Sequence, residues 1–551
     1  MISARTVSIF IFSCILFTSL GQDETQRNYL VAYGQVWGFL KYFHPKPSSQ
    51  DWDKTLLQDF NKVKSCTTDS EFNTIISELI NDCGSFSPIK RNVSDSLKFD
   101  ACYEWIENEL FSIENKESLI HLLMNKPKFN NKYIKETPVG KPLVSNENTY
   151  DSFSYSPAIQ FLALTRYWNV INYYCPNRDI IPRNWTDVYK DHVNSFIGAK
   201  TYEDYYFAVR RVVSEIRDGH GFIKTENDPM NRYKLTPFYI ENVSDGYYIT
   251  HVWQDSLNSY NVQRMDRIIS INGISVEEKI EQIGTILATS NDYYLSKSTY
   301  YLRLYDSDSI SLTIERDNQI IDGTLPTIDL ATLMGRNKFK KSNFSSSPYG
   351  FFTDSLSNNT YCYIDMGKLK RSDITGSFKR ALYKTDHIII DSRNYPNWTL
   401  IKLSKALIKG KRKFATFRKM NFDYPGSFEW TKSQTIGNRS RAYNGNIFVL
   451  VDYHTMSQAE YTVMALQQHP NTIVIGGQTA GADGNVADIP LPFGIKTVFS
   501  GLSVFYPDRT PTQQIGVRRD YQIVQDKSFI EDRRDLILEK ALDLIRQKSA
   551  N

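Results

Sequence analysis

Cysteine is scarce in this chain, six in 551 residues, and no two stand in a Cys-x-x-Cys pair. A disulfide framework and a cysteine-built zinc site are therefore not expected. None of the eight histidines has His-x-x-x-His spacing, so the sequence offers no histidine metal motif either. An excess of one charge is also missing: 65 Lys and Arg against 61 Asp and Glu leave +4, scattered along the chain. Nothing here builds a face for nucleic acid. Long apolar runs are absent beyond residue 20, so no later stretch could span a bilayer.

What is present is core-forming material, 41% hydrophobic and 13% aromatic, which excludes a disordered chain. At roughly 150 residues per domain the length predicts three or four domains. Arg5, the apolar run Val7 to Leu20 and the small residues of Ser19-Leu20-Gly21 read as a signal peptide, 1–21, cut after Gly21. The run is shorter than the about 20 residues of a membrane anchor. Ile11-Phe12-Ser13-Cys14 makes a poor lipoprotein signal, because Phe sits where a small residue is wanted. The mature chain is expected outside the cytoplasm, periplasmic or extracellular, where Cys66 could pair with Cys83 or Cys102.

An internal repeat organises the first part. Val36-Trp37-Gly38-Phe39-Leu40-Lys41-Tyr42-Phe43-His44-Pro45 aligns with Tyr167-Trp168-Asn169-Val170-Ile171-Asn172-Tyr173-Tyr174-Cys175-Pro176, and a second Trp follows in each, Trp52 and Trp185. Two duplicated helical units are predicted, 22–125 and 158–228, joined by a linker, 126–157. Only the second unit ends in Asp218-Gly219-His220; the first ends in Asp82-Cys83-Gly84. Short strands then define a β-rich domain, 233–328, with a helix carrying Val276, Ile280, Ile283 and Leu287 on one face. After a second linker, Gly335 to Pro348, strands and helices alternate through 349–530, which argues an α/β layer core. A C-terminal helix occupies 531–551.

The strand Ile447 to Asp452 leads through His454-Thr455-Met456 to Ser457-Gln458-Ala459-Glu460 and a helix. A serine at a strand-to-helix junction has its hydroxyl at a helix N-terminus, where free N–H groups stabilise a developing oxyanion. Ser-x-x-Glu before an apolar run is equally a capping box. Thr455 and Ala459 occupy the glycine places of a Gly-x-Ser-x-Gly elbow, which sets aside an α/β-hydrolase esterase. His454 lies three residues before Ser457, but that spacing assures no contact across the turn. Asp391 and Arg393 read as an ion pair that shapes the loop after an earlier strand.

Asp266 to Gly273 with its following helix resembles a PDZ domain, although Met265 stands where that family has glycine. Any small β-rich domain can also carry such an Asn-Gly turn. Asp218-Gly219-His220, the PDZ-like segment, Ser457-x-x-Glu460 and Gly476-x-x-Thr479-x-Gly481 in this order resemble the tail-specific, or C-terminal processing, serine peptidases over roughly residues 155 to 525. The resemblance implies a multidomain α+β protein: helical N-terminal units, a PDZ-like domain and an α/β core of the ClpP/crotonase type. Ala482 replaces the lysine of the serine–lysine branch, so the chain is similar to the tricorn-core branch, in which His220 is the base and Ser457 the nucleophile. That branch orients its histidine with a late acidic residue, where this chain offers Gln513-Gln514. Gln514 and Glu460 are thus the candidates for a third member or support, and Glu460 can equally be only a cap. The Gln458 N–H is the natural first oxyanion donor; Pro396 has none, so Tyr395 or Asn394 supplies the second. The implied function is an exported serine endopeptidase acting on polypeptides, with tails offered to the PDZ-like domain and no cofactor required. The alternative from another class is a catalytically inactive relative that binds peptide or lipid.

Overall fold

The computed structural model describes residues 21–87, 102–253, 262–329, 347–438 and 442–548. The expected leader therefore lies outside the described residues up to residue 20, and the first helix begins at Gly21. The second expected linker falls mostly outside them as well. No helix among the described residues is long and apolar enough to cross a membrane.

Among the described residues the α-helices α1 (Gly21–Phe43), α2 (Trp52–Ser65), α3 (Asp69–Cys83) and α4 (Ile113–Met124) precede a hairpin of β1 (Ile134–Glu136) and β2 (Pro142–Val144). Three more follow, α5 (Pro157–Tyr174), α6 (Trp185–Ile197) and α7 (Tyr202–Ser214). The duplication read from the tryptophans is built into the core by hydrogen bonds. Trp37 Nε1–H donates to the Trp52 carbonyl at 3.0 Å and Trp52 Nε1–H to that of Trp37 at 3.0 Å. Trp168 and Trp185 repeat the exchange at 2.6 and 3.0 Å. Each pair satisfies two buried indoles and two carbonyls at the point where the chain turns between helices.

The two units also meet each other through equivalent positions. Gln35 donates to Thr186 at 3.1 Å, and Arg166, which aligns with Gln35, donates to Asp53 at 2.9 Å, which aligns with Thr186. The units thus pack as a pseudo-twofold pair, with α1 against α6 and α2 against α5. Arg166 and Asp53 belong to a fully buried ion network with Lys41 and Glu147, closed by Lys41–Glu147 at 2.8 Å and Arg166–Glu147 at 3.0 Å. Glu147 lies in the stretch expected as a linker, and so does the β1–β2 hairpin. Three-residue strands carry too little periodicity to be visible in sequence. The expected Cys66 disulfide is not formed; Cys66, Cys83 and Cys102 keep their thiols. Cys66 turns back on the Lys62 carbonyl at the end of α2, while Cys102 faces Gly426.

After the Asp-Gly-His segment comes the short strand β3 (Ile223–Lys224). The β-rich domain contains β4 (Phe238–Val243), β5 (Gly246–Val252), β6 (Arg267–Ile271), α8 (Val276–Gly284), α9 (Asp292–Ser296), β7 (Ser309–Arg316) and β8 (Gln319–Pro326). Its sheet runs β8-β7-β6-β5-β4, all antiparallel, over a core of its own with Val276 and Ile280 of α8. Met265 adopts φ 78°, the left-handed backbone that glycine takes without cost, and Asn272-Gly273 makes the left-handed turn after β6.

The α/β core has a sheet of β9 (Tyr349–Thr353), β10 (Thr360–Asp365), β11 (His387–Asp391), then, beyond α10 (Leu400–Leu407), β12 (Asn446–Val451), and, beyond α11 (Gln458–Leu466), β13 (Thr472–Gly476). The strand order is β9-β10-β11-β12-β13, antiparallel at the first pair and parallel after it. Within the excursion after β13, β14 (Val486–Leu491) pairs with β15 (Ile495–Ser500), and β15 pairs with β3. Tyr521–Gln522 adds a last parallel pairing to β13, and α12 (Leu536–Gln547) packs on the sheet through Ile537, Ala541 and Ile545.

Candidate active site

The loops at the carboxyl ends of β11, β12 and β13 converge, as expected for the ligand-facing edge of a parallel sheet. Thr455 Oγ1 donates to the Ser392 carbonyl at 3.0 Å, the Ala480 N–H to the Thr455 carbonyl at 3.1 Å, and the Ser457 N–H to the Ala482 carbonyl at 2.9 Å. These bonds tie the turn before α11 to both neighbouring loops.

Ser457 stands at the N-cap of α11 in an unusual backbone, φ 56° and ψ −120°. Thr68, Ser112, Thr201, Ser275 and Thr375 cap their helices with negative φ, and each side chain accepts a helix N–H. An ordinary cap needs that extended backbone. The capping box with Glu460 is present, but its firm half is the Ser457 N–H donated to Glu460 Oε2 at 3.1 Å. Ser457 Oγ faces the Glu460 N–H across that box without making a cap hydrogen bond and is half-buried, so the strained turn holds the hydroxyl loosely at the entrance of a helix.

Glu460 is fully buried and gathers four donors: Ser457 N–H, Thr479 Oγ1 at 2.6 Å, Gly481 N–H at 2.9 Å and Ala482 N–H at 3.1 Å. Burial pushes its carboxyl up to about 7 against the pull of those donors. Its place is that of a buried bracket between the serine turn and the Gly-x-x-Thr-x-Gly loop. It does more than cap the helix.

His220 reaches the site through strand register. β3 pairs antiparallel with β15, Ile223 opposite Thr497, and the same register carried outward sets His220 opposite Ser500. His220 Nδ1 lies 2.9 Å from Ser500 Oγ, Ser500 Oγ–H donates to Asp218 Oδ1 at 3.0 Å, and the Ser500 N–H donates to Asp218 Oδ2 at 2.6 Å. Because the single Ser500 proton goes to the carboxylate, Ser500 Oγ must accept from His220 Nδ1–H. The tautomer is thereby set, and Nε2 carries the lone pair. Direct contact between His220 and Asp218 is longer, 3.8 Å. Burial holds the imidazole below its usual pKa, opposed by the Asp218 charge.

The histidine segment packs on the serine turn. A methyl placed on Gly219 would stand 3.0 Å from Ala482 Cβ and 3.5 Å from Met456 Cε. That closeness requires glycine-like slimness at 219, against a fully buried Ala482.

Other expected residues fall as follows. Gln514 does not reach His220; its amide donates to the carbonyls of Ile180 and Arg217, at 3.2 and 3.4 Å. Its neighbour Gln513 instead donates to Asp218 Oδ1 at 3.0 Å. Gln458 begins α11, so its N–H has no acceptor within the helix. Asn394 and Tyr395 follow β11, and their N–H groups donate to nothing among the described residues. The Asp391–Arg393 pair forms at 2.7 Å, with Arg393 also held by Asp535 at 2.8 Å. His454 is exposed and pairs with Asp452 at 3.1 Å.

Three contributors escaped the sequence reading. Ser500 is one. The others are Ser290 and Asn291, which arrive from the β-rich domain just before α9. Ser290 Oγ accepts the Gly219 N–H at 2.8 Å. Asn291 Nδ2 donates to the carbonyls of Thr479, Ala480 and Gln514 at 3.2, 3.0 and 3.3 Å, while its Oδ1 accepts the Tyr294 N–H at 2.8 Å. Polar residues between two helices give no sign of such a role; only the Asn291 cap of α9 is foreseeable.

The family model described as Peptidase family S41 matches residues 360–523, from the start of β10 to the last parallel strand. This segment belongs to peptidase family S41. Similar solved structures include mature CPAF complexed with lactacystin, 12% identical, TM-score 0.54, covering 71% of this chain and 98% of that one. Mature CPAF gives 12%, 0.54, 71% and 97%. A structure from Parabacteroides merdae gives 14% identity and a TM-score of 0.45, with 71% and 97% covered. At these identities the CPAF likeness concerns the fold alone. No curated protein matches the sequence. The S41 segment supplies Ser457 and both loops around it, whereas His220, Ser290 and Asn291 come from outside it.

Proposed function

We propose that the chain is an exported serine endopeptidase that cleaves polypeptides through an acyl-enzyme. Ser457 Oγ attacks the scissile carbonyl carbon while His220 Nε2 takes its proton. The oxyanion forms against the Gln458 N–H, joined by that of Tyr395 or Asn394. The carbon–nitrogen bond then breaks, the Nε2 proton goes to the leaving amine, and water repeats the sequence to release the acid. Ser500 and Asp218 keep the imidazole in the accepting tautomer and stabilise the imidazolium, so they stand as the orienting members, with Glu460 as support for the loops. This is the arrangement of the tricorn-core branch rather than the serine–lysine one. The β-rich domain acts as a PDZ domain that takes extended peptide ends.

The observation that carries this reading is the backbone of Ser457, which departs from every ordinary Ser or Thr cap compared above and leaves the hydroxyl without a cap hydrogen bond. Digestion of a labelled peptide set, read by mass spectrometry, tests it. Internal cleavage by the wild type and none by a folded Ser457→Ala is expected. Ser457 Oγ makes no cap hydrogen bond for alanine to remove, and even a full cap lost to alanine costs only about 0.5–2 kcal/mol, so the fold survives. Equal cleavage by both proteins would move the nucleophile elsewhere, and no cleavage by either would favour the inactive binding relative.

A further inference from the structure

We propose that Gln513 is a positioning residue for His220: its neutral amide holds Asp218 in the place from which that carboxylate fixes Ser500 and, through Ser500, the imidazole. The inference rests on the peptidase reading above and adds a residue that the reading leaves idle.

Asp218 is buried, and its ion-pair contact is with His220 itself, at 3.8 Å. Its charge is met mainly by dipoles. Oδ2 accepts the Ser500 N–H at 2.6 Å, and Oδ1 accepts the His220 N–H, the Ser500 Oγ–H and the Gln513 Nε2–H, each at 3.0 Å. Three of these four donors sit on the residues that Asp218 has to hold, so Gln513 is the anchor that comes from elsewhere in the fold. The glutamine is fixed independently of the histidine. Thr512 N–H and Oγ1–H both donate to the Val504 carbonyl, at 3.2 and 3.0 Å, and the Gln514 N–H donates to the Gly481 carbonyl at 2.7 Å. Gly481 lies on the loop that Glu460 ties to the serine turn. The buried Gln513 amide thus sets Asp218, and with it His220, against the serine side of the site.

The chemistry of this place calls for an amide. The atom that faces Oδ1 has to donate, because an ionised carboxylate only accepts. A glutamate at 513 donates only while it is protonated. Once ionised, it sets a second negative charge against Asp218 at the distance the amide now holds, where the two repel and Asp218 loses its outside anchor. Burial and the neighbouring charge both raise the carboxyl of such a glutamate above the free value of about 4.3. The other titratable groups facing Asp218 besides His220 are Tyr167 and Cys175. Burial keeps both protonated, the phenol raised well above its ordinary value and the thiol pushed up to about 12.

The test compares Gln513→Glu and Gln513→Ala, each in the full chain, with the wild type by kcat/KM across about pH 5 to 9. The ratio of Gln513→Glu to wild type should fall as pH rises, by about tenfold or more over that range, because the proton that lets the glutamate donate is lost. Gln513→Ala should be about tenfold slower at every pH, through kcat and with KM little changed. A side chain that only fills space would add no ionisation to the glutamate profile. Nitrogen NMR of histidine-labelled protein gives a readout that needs no turnover. The His220 signals, identified by their loss in His220→Ala, should report the Nδ1–H tautomer in the wild type and a mixture in Gln513→Ala. A Gln513→Glu ratio that is flat or rises with pH, or a Gln513→Ala protein with the wild-type kcat and tautomer, would overturn the proposal. Thermal melting checks both variants, and Gln513→Ala alone decides if the glutamate variant does not fold. A wild type that cuts no peptide, while its tautomer shifts in Gln513→Ala, sinks the peptidase reading and leaves Gln513 positioning His220.

Discussion

At the residue scale the serine and the histidine differ in what holds them. Ser457 is set by its own turn, whose backbone bonds are all local to the sheet edge, whereas His220 depends on a hydroxyl 280 positions away. The motif around each was visible in sequence because Ser-x-x-Glu and Asp-Gly-His are contiguous. Ser500 was not, since only the pairing of β3 with β15 brings it to the imidazole. Ser500→Ala should therefore lower kcat by about 10- to 100-fold with little change in KM, the loss of an orienting group rather than of the base itself. Steady-state kinetics beside an unchanged Tm would check it. The pH profile follows from burial. His220 is held below the ordinary histidine value, so its neutral, proton-accepting form persists to lower pH. kcat/KM should rise with pH through one ionisation below about 6.5, the free-histidine value, and His220→Ala should remove that limb with most of the rate.

Elements explain what single residues cannot. The segment between α8 and α9 enters the catalytic region with Ser290 on the histidine loop and Asn291 on the loop after β13. Excising 233–326 would accordingly take support from both loops, so a deletion cannot separate a peptide-binding role from a structural one. Asn291→Ala is cleaner. It should cut kcat about tenfold or more and raise hydrogen exchange around residues 479–482, while Asn291→Gln restores part of the rate. Unchanged exchange there would mean that the asparagine only caps α9. Alternating strands and helices made the core legible in sequence, as did the Asn-Gly turn of the β-rich sheet. The hairpin inside the expected linker was not, because its strands are three residues long and owe their place to packing against β14.

For the whole molecule the two helical units form one packed body with a shared core. Their aligned positions exchange bonds across a pseudo-twofold, and only one copy continues into Asp-Gly-His. The ion network at their junction is fully buried, so its members were bound to look like surface charges in sequence. Arg166→Ala leaves Asp53 and Glu147 with one fewer cation in a dry interior, and should destabilise the protein by about 3–5 kcal/mol in urea unfolding. A loss under about 1 kcal/mol would mean that water or Lys41 compensates.

The central claim is that Ser457 is a nucleophile deprotonated by His220. Reaction with a fluorophosphonate, followed by mass spectrometry of the digested protein, reads it directly, because phosphorus is attacked by an activated hydroxyl and fluoride leaves. One adduct, on Ser457, is expected in the wild type, none in Ser457→Ala, and labelling slowed about 100-fold or more in His220→Ala. An adduct on another residue, or a His220→Ala protein labelled at the wild-type rate, would contradict the account.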